Sequence, residues 1–304
     1  MNFLKYPVFL IALPTFLFLL IQLSACKKEN DEVNYQRQAQ AAENLFYIKH
    51  NIIQLTLSHF KAITNQNLET MTGTHIDGGW TTKEVNTPGE SYHFRFINND
   101  NMSVGDDIFR ERYGIMKTIC DTAPLALNAN TRFEFTNFGF SNKPYLTYAQ
   151  YPLLNGTIEL KLVSIDANRY EFEQTISNLQ FTDSTGNKTI TLDGTLTYEW
   201  QKATESNYFS PEHELFLIRN ADLEFVNHNN DVVNLELTAS AQYPAIFTQC
   251  GVLKGGEGNL AFIDQTPSSA VFSYENIDTI CNIGAQMTMA DLPFRLTIDD
   301  WSIN

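Results

Sequence analysis

The densest grouping of chemically capable side chains in this sequence is Thr74-His75-Ile76-Asp77-Gly78-Gly79-Trp80. Residues two apart on an extended strand point to the same side. His75 and Asp77 are therefore expected to share a face, where an imidazole and a carboxylate can hold a cation or polarise a water, with Trp80 as an apolar wall. The plainer reading makes Gly78-Gly79 a flexible turn and Trp80 the opening of the next strand. His75, Asp77 and Trp80 are the candidate ligand contacts. No G-x-S-x-G elbow, H-E-x-x-H, P-loop or G-x-G-x-x-G occurs, so no catalytic residue is assigned. No C-x-x-C or H-x-x-x-H spacing occurs either, so neither a metal site nor a cofactor is expected. His50 and His59 stand nine residues apart, off the i, i+4 spacing that shares a helical face, and each reads as a surface histidine. Asp106-Asp107, Asp299-Asp300 and Glu212-His213-Glu214 read as solvated turns, since no EF-type loop surrounds them. Acid–base carboxylate pairs leave no local signature, so a hydrolase stays open as an alternative. Trp80, Trp200 and Trp301 serve either as β-core, the default in alternating strands, or as an aromatic platform for a sugar or peptide.

The elements that must position these groups are legible from period. Over residues 38–66, Ala39, Ala42, Phe46, Ile53, Phe60 and Ile63 fall on one helical seam, interrupted at Lys49 and Thr56. Ala41, Leu45, Ile48, Ile52 and Leu55 make a second, adjacent seam. The spacing predicts an amphipathic helix whose stripe is too broad to stay wet. Packing on a β-domain as its lid is the expectation; a partner helix or a stalk is the alternative. From about residue 70 the period becomes two: Tyr92, Phe94 and Phe96 alternate with His93 and Arg95, and Ile158–Leu162, Tyr170–Glu173, Leu196–Trp200, Val233–Thr238 and Phe294–Ile298 do the same. Asn155-Gly156, Asp166-Ala167-Asn168, Asp183–Asn187 and Asn227–Asp231 read as hairpin turns. A weak repeat relates Ile176–Tyr198 to Ile218–Tyr243 as two successive hairpin units. The fold class is mainly β: an antiparallel meander or sandwich over 70–304, one elongated domain with one wet face, preceded by one long N-terminal α-helix.

Composition agrees. The chain has 304 residues and 43% are apolar, enough for a core, while 22 Phe and 13 Tyr suit a β-rich body. Its 35 acidic residues against 20 Lys and Arg give a net charge of −15, which argues against a nucleic-acid partner, because phosphate contacts need a basic footprint.

The amino terminus says where the protein is delivered. Lys5 precedes an apolar run from Tyr6 to Ile21 that spans roughly 24 Å as a helix, short of the ~30 Å hydrocarbon core. That is the form of a signal peptide over 1–25. Leu23-Ser24-Ala25-Cys26 resembles a bacterial lipobox, and Lys27-Lys28-Glu29-Asn30-Asp31-Glu32 is similar to the start of Bacteroidota outer-membrane and surface lipoproteins. The resemblance implies acylation at Cys26, an anchor in the outer membrane and, through the Lys-then-acidic stretch, export to the cell surface. Residues 26–37 are expected to be a tether. In the same lineage, Asp121-Thr122-Ala123, Asp183-Ser184-Thr185 and Asp278-Thr279-Ile280 resemble O-glycosylation signals at Thr122, Ser184 and Thr279.

With Cys26 acylated, Cys120, Cys250 and Cys281 remain. Cys250 and Cys281 flank the expected strand pair Gly258–Ile263 and Ala270–Tyr274, and an envelope compartment permits a disulfide between them. Two reduced, buried cysteines are the alternative. The stretch holding Cys250, Gly255-Gly256, Gly258, Cys281 and Asn282 also resembles a recurring segment of Bacteroidota lipoproteins. The functional expectation is a lipid-anchored envelope protein whose β-domain binds a partner protein or a glycan. The alternative is a lipid-anchored hydrolase with a carboxylate-based active site.

Overall fold

The computed structural model describes residues 7–70, 72–77, 79–85, 89–96, 111–141, 153–183, 185–202, 215–238, 245–247, 253–254, 256–274 and 284–297, and its account of side chains begins at residue 34. Two compact units are present, Met1–Gln40 and Ala41–Asn304. The first is helical from Pro7 onward, the opening part of a helix, α1, that runs Pro7–Ile63. The stretch 26–37, expected as a tether, is helical backbone. Its Lys, Glu, Gln and Arg residues are straight-chain helix formers that need no apolar face to propagate a helix already begun.

Among its described residues, the second unit holds the rest of α1, a single turn α2 (Asn67–Thr70) and sixteen strands. In chain order the strands are β1 (Thr74–Ile76), β2 (Gly79–Val85), β3 (Glu90–Phe96), β4 (Glu111–Cys120), β5 (Asn130–Ser141), β6 (Leu153–Asp166), β7 (Arg169–Thr182) and β8 (Thr189–Gln201). There follow β9 (Leu215–Val226), β10 (Val232–Thr238), β11 (Ala245–Phe247), β12 (Leu253–Lys254), β13 (Glu257–Phe262), β14 (Ser269–Tyr274), β15 (Gly284–Met289) and β16 (Leu292–Thr297). Fourteen of them form one antiparallel path in sequence order, β1 through β10 and then β13 through β16, while β11 pairs with β9 and β12 beside it. The meander is thus one continuous sheet, and the weak repeat corresponds to the hairpins β7–β8 and β9–β10.

The strands alternate between buried and exposed positions, most simply in β14 (Ala270, Phe272 and Tyr274 in; Ser269, Val271 and Ser273 out). A sheet of this many twisted strands curls, and its apolar concave face must be filled. Residues 41–63 of α1 fill it. Every residue from Asn44 to Phe60 is buried. Phe46 meets Phe272 and Tyr274 of β14 edge-on at 4.9 and 5.7 Å. Near the other end, Phe60 meets Phe172 of β7, Trp200 of β8 and Phe216 of β9 at 4.6–5.6 Å. His59 faces Tyr92 of β3 and Phe133 of β5. Residues of β3, β4, β5, β7, β8, β9 and β14 all reach the same helix, so the helix is the axis of the domain. It is neither an amphipathic lid nor a stalk, and it has no wet face between Asn44 and Phe60.

Enclosure requires an answer for every polar side chain on the helix. Thr56 and Thr64 donate back to the carbonyls of Ile52 and Phe60, and Asn51 does so to Tyr47. Short polar side chains at i, i−4 spacing satisfy themselves in this way. Gln174 of β7 donates to Thr56 at 2.7 Å and accepts from the Tyr198 hydroxyl of β8 at 2.5 Å. His50 and His59 are buried, contrary to the surface position expected for each, because no helical face here is a surface.

Three of the four expected hairpin turns are turns: Asp166-Ala167-Asn168, Asp183–Asn187 and Asn227–Asp231 each separate two paired strands. Asn155-Gly156 is not. It lies inside β6 as a bulge opposite Asn178–Leu179, with Gly156 at φ 118°. A Cβ on Gly156 would stand 2.5 Å from the carbonyl oxygen of Asn178, so glycine marks a close backbone approach and not a chain reversal.

Candidate functional site

With the concave side occupied by α1, the convex side of β1–β4 is where the candidate residues gather. The register places His75 of β1 opposite Trp80 of β2, Trp80 opposite Arg95 of β3, and Arg95 opposite Ile115 of β4. One row across four strands therefore reads His75, Trp80, Arg95, Ile115, all exposed on the wet face. Trp80 keeps 42% of its surface in solvent, unusual for a strand tryptophan. His75 stands edge-on to its indole at 5.0 Å. The other side of the ring lies against Gly73, where a Cβ would come within 2.7 Å of Cζ2. The indole is thus fixed by neighbours and not free to swing, as a pre-organised contact needs.

Beside it runs a groove of about 350 Å³ lined by Trp80, Thr82, Glu84, His93, Arg95 and Ile115. Nε2 of His93 lies 3.2 Å from Oε2 of Glu84. Among the described residues, no carboxylate pairs with Arg95. Parity places His93 and Arg95 on the wet face of β3, but their place beside Trp80 depends on a register that no local pattern specifies.

Asp77 does not join this row. Its backbone is left-handed, at φ 47°, which turns it off the strand after Ile76. Its carboxylate then faces the helix, accepting from Ser58 at 2.6 Å and from Lys61 at 2.5 Å. The shared face expected for His75 and Asp77 fails because residue 77 is already in the turn. Burial pushes the Asp77 carboxyl up, but the charges of Lys61 and Arg112 and the hydrogen bonds from Lys61 and Ser58 outweigh it and hold the group below its ordinary value. Arg112, buried on β4, donates through Nη1 to Ser58 at 3.3 Å and lies over the Phe96 ring at 5.4 Å. This cluster clamps the β1–β2 hairpin to the end of α1.

Trp200 is core, packed on Phe60 and Tyr170, while Trp301 lies outside the described residues. Cys120 is buried and free, its thiol 3.3 Å from Thr131 Oγ1 and pushed up to about 11 by burial. Cys250 and Cys281 lie outside the described residues, as do Ser184, Thr279, Asp106-Asp107, Asp299-Asp300 and Glu212-His213-Glu214; Cys26 lies on α1 ahead of the described side chains. Thr122 is exposed, and Asp121 and Asp183 of the glycosylation-like tripeptides bond the backbone of Asn130 and of Asn187 and Lys188. Among the described residues, no group of three or more His, Cys, Asp or Glu could hold a metal ion.

A second open groove, about 540 Å³, lies on the convex side of β10 and β13–β15 and is lined in part by Glu236, Glu257, Asn259 and Gln286. Both carboxylates stand exposed, and nothing among the described residues encloses a bond between them. No family model matches this chain, and no curated protein or solved structure matches it.

Proposed function

We propose that this chain is a lipid-anchored protein of the bacterial cell envelope, held at the outer membrane through acylated Cys26, and that its β-domain binds a glycan on the convex face of β1–β4. One observation carries the glycan reading: the concave face is filled by α1, while an indole pinned between His75 and Gly73 is left in water beside a polar groove. Sugar rings offer apolar C–H faces and hydroxyls, and a fixed indole bordered by hydrogen-bonding side chains complements both. The size of the patch favours a glycan over a partner protein. Trp80 and Ile115 are its exposed large apolar members, with Phe94 buried beneath, far short of the ~800 Å² per partner that a stable protein interface buries. The envelope reading rests on the signal-like amino terminus and the lipobox-like residues before Cys26.

Affinity electrophoresis of the domain through gels containing glycan polymers tests the reading. Retardation by at least one polymer is expected, with Trp80→Ala losing tenfold or more in affinity while still melting cooperatively, because the side chain lies outside the core around α1. Equal retardation of wild type and Trp80→Ala by every retarding polymer would remove the site.

A further inference from the structure

Building on the glycan reading, we infer that the ligand is an acidic glycan, in which a sugar ring lies on Trp80 while its carboxylate meets the guanidinium of Arg95. The molecule carries a net charge of −15, so a cation with no ion pair among the described residues, beside an exposed indole, is against its general trend. Arg95 lines the groove directly opposite Trp80 across the β2–β3 ladder. Side chains at directly opposed positions start about 5 Å apart. A uronate carries its carboxylate one bond from the ring, so one sugar residue spans the two groups.

The remaining charges in the groove sharpen the inference. Glu84 is its one carboxylate and is engaged by His93 at 3.2 Å, which leaves the Arg95 fork for a ligand. Arginine is suited to that role, since its planar donors match a carboxylate with two parallel hydrogen bonds. Lys117 of β4, opposite His93 and without an ion pair among the described residues, adds a second cation along the same face. Neutral glycans would use Trp80 and the polar rim but leave Arg95 idle.

Matched polymers separate charge from ring. Polygalacturonate, alginate and hyaluronan serve as acidic probes; fully methyl-esterified polygalacturonate, dextran and mannan are neutral ones. At low salt, at least one acidic polymer is expected to bind about tenfold more tightly than its neutral counterpart. Arg95→Gln should abolish that preference while leaving the weaker, Trp80-dependent binding of the ester. Glu84→Gln should strengthen acidic binding, and added salt should narrow the gap. Trp80-dependent binding that is equal for acid and ester, or a preference untouched by Arg95→Gln, would overturn the inference and leave the glycan reading standing. Failure of every polymer, acidic and neutral, to bind would overturn both.

Discussion

Lys49 is the least expected residue in the core. It is buried on the axis helix with its ammonium 4.4 Å from the Phe46 ring centre and 4.6 Å from that of Tyr274, and among the described residues no carboxylate pairs with it. Aromatic faces attract a cation but return less than full hydration does. Burial accordingly lowers its pKa from 10.5 to about 7. The unfolded chain holds that proton up to about 10.5, so between pH 7 and pH 9 unfolding takes up a proton and stability rises with pH, by at most ~1.4 kcal/mol per unit. Lys49→Met should flatten this slope and raise stability at pH 7 by a few kcal/mol, read from urea midpoints across the range. His59 acts with the same sign at lower pH. Burial among Tyr92, Phe133 and Phe60 lowers it to about 3 and leaves it neutral beside Thr118 at 3.1 Å. Stability should therefore fall as pH drops from about 6.5 toward 3, while His59→Gln should lose one proton's worth of that dependence. An acid limb identical in the two proteins would mean that the ring is not buried neutral.

At the scale of elements, α1 is the decisive piece. An isolated helix with Asn, Gln, His, Lys, Ser and Thr on every side has little reason to be fully buried. Here β3, β5, β7, β8, β9 and β14 bring partners to it from several sides, and i−4 back-bonds satisfy Thr56 and Thr64 locally. Phe60, stacked on Trp200 and tilted on Phe172 and Phe216, is expected to cost about 3–5 kcal/mol when cut to alanine. Ile53→Asp should cost several kcal/mol more than a surface substitution, since it places an unpaired charge on the axis. A chain beginning near residue 70 should fail to give a cooperative melt, because the concave face would lose its filling. A fragment that melts cooperatively near the wild-type temperature would show that the sheet closes without the helix.

At the scale of the whole molecule, the described concave face is closed to ligands by α1. The interior is occupied by the chain itself, so the surface that faces the medium carries whatever recognition the protein performs. Cys26 stands fifteen residues ahead of the compact unit that begins at Ala41. Under the proposed anchoring, two or more acyl chains there would give stable membrane attachment, at about 0.8 kcal/mol per buried CH₂. Mass spectrometry of the mature amino terminus should find an acylated Cys26, and Cys26→Ser protein should leave the membrane fraction once its signal peptide is removed. Retention of that variant after signal removal would place the anchor elsewhere.

What the sequence determined alone is what depends on neighbours in the chain. Period two fixed which residues of β3, β7 and β14 face inward. Asp183 and Asn227 marked real turns, since their side chains bond backbone groups within five residues. The breadth of the stripe over 38–66 required burial of that helix. The tertiary structure decided what depends on partners far away. Thr56 meets Gln174 across 118 residues and His59 meets Thr118 across 59, contacts that turn polar helix positions into core. Asn155-Gly156 has the composition of a turn, yet the Asn178 carbonyl opposite makes it a bulge. His75, Asp77 and Trp80 form a cluster in sequence that the fold divides. A left-handed residue sends Asp77 to the helix, and strand register gives Trp80 a different companion, Arg95.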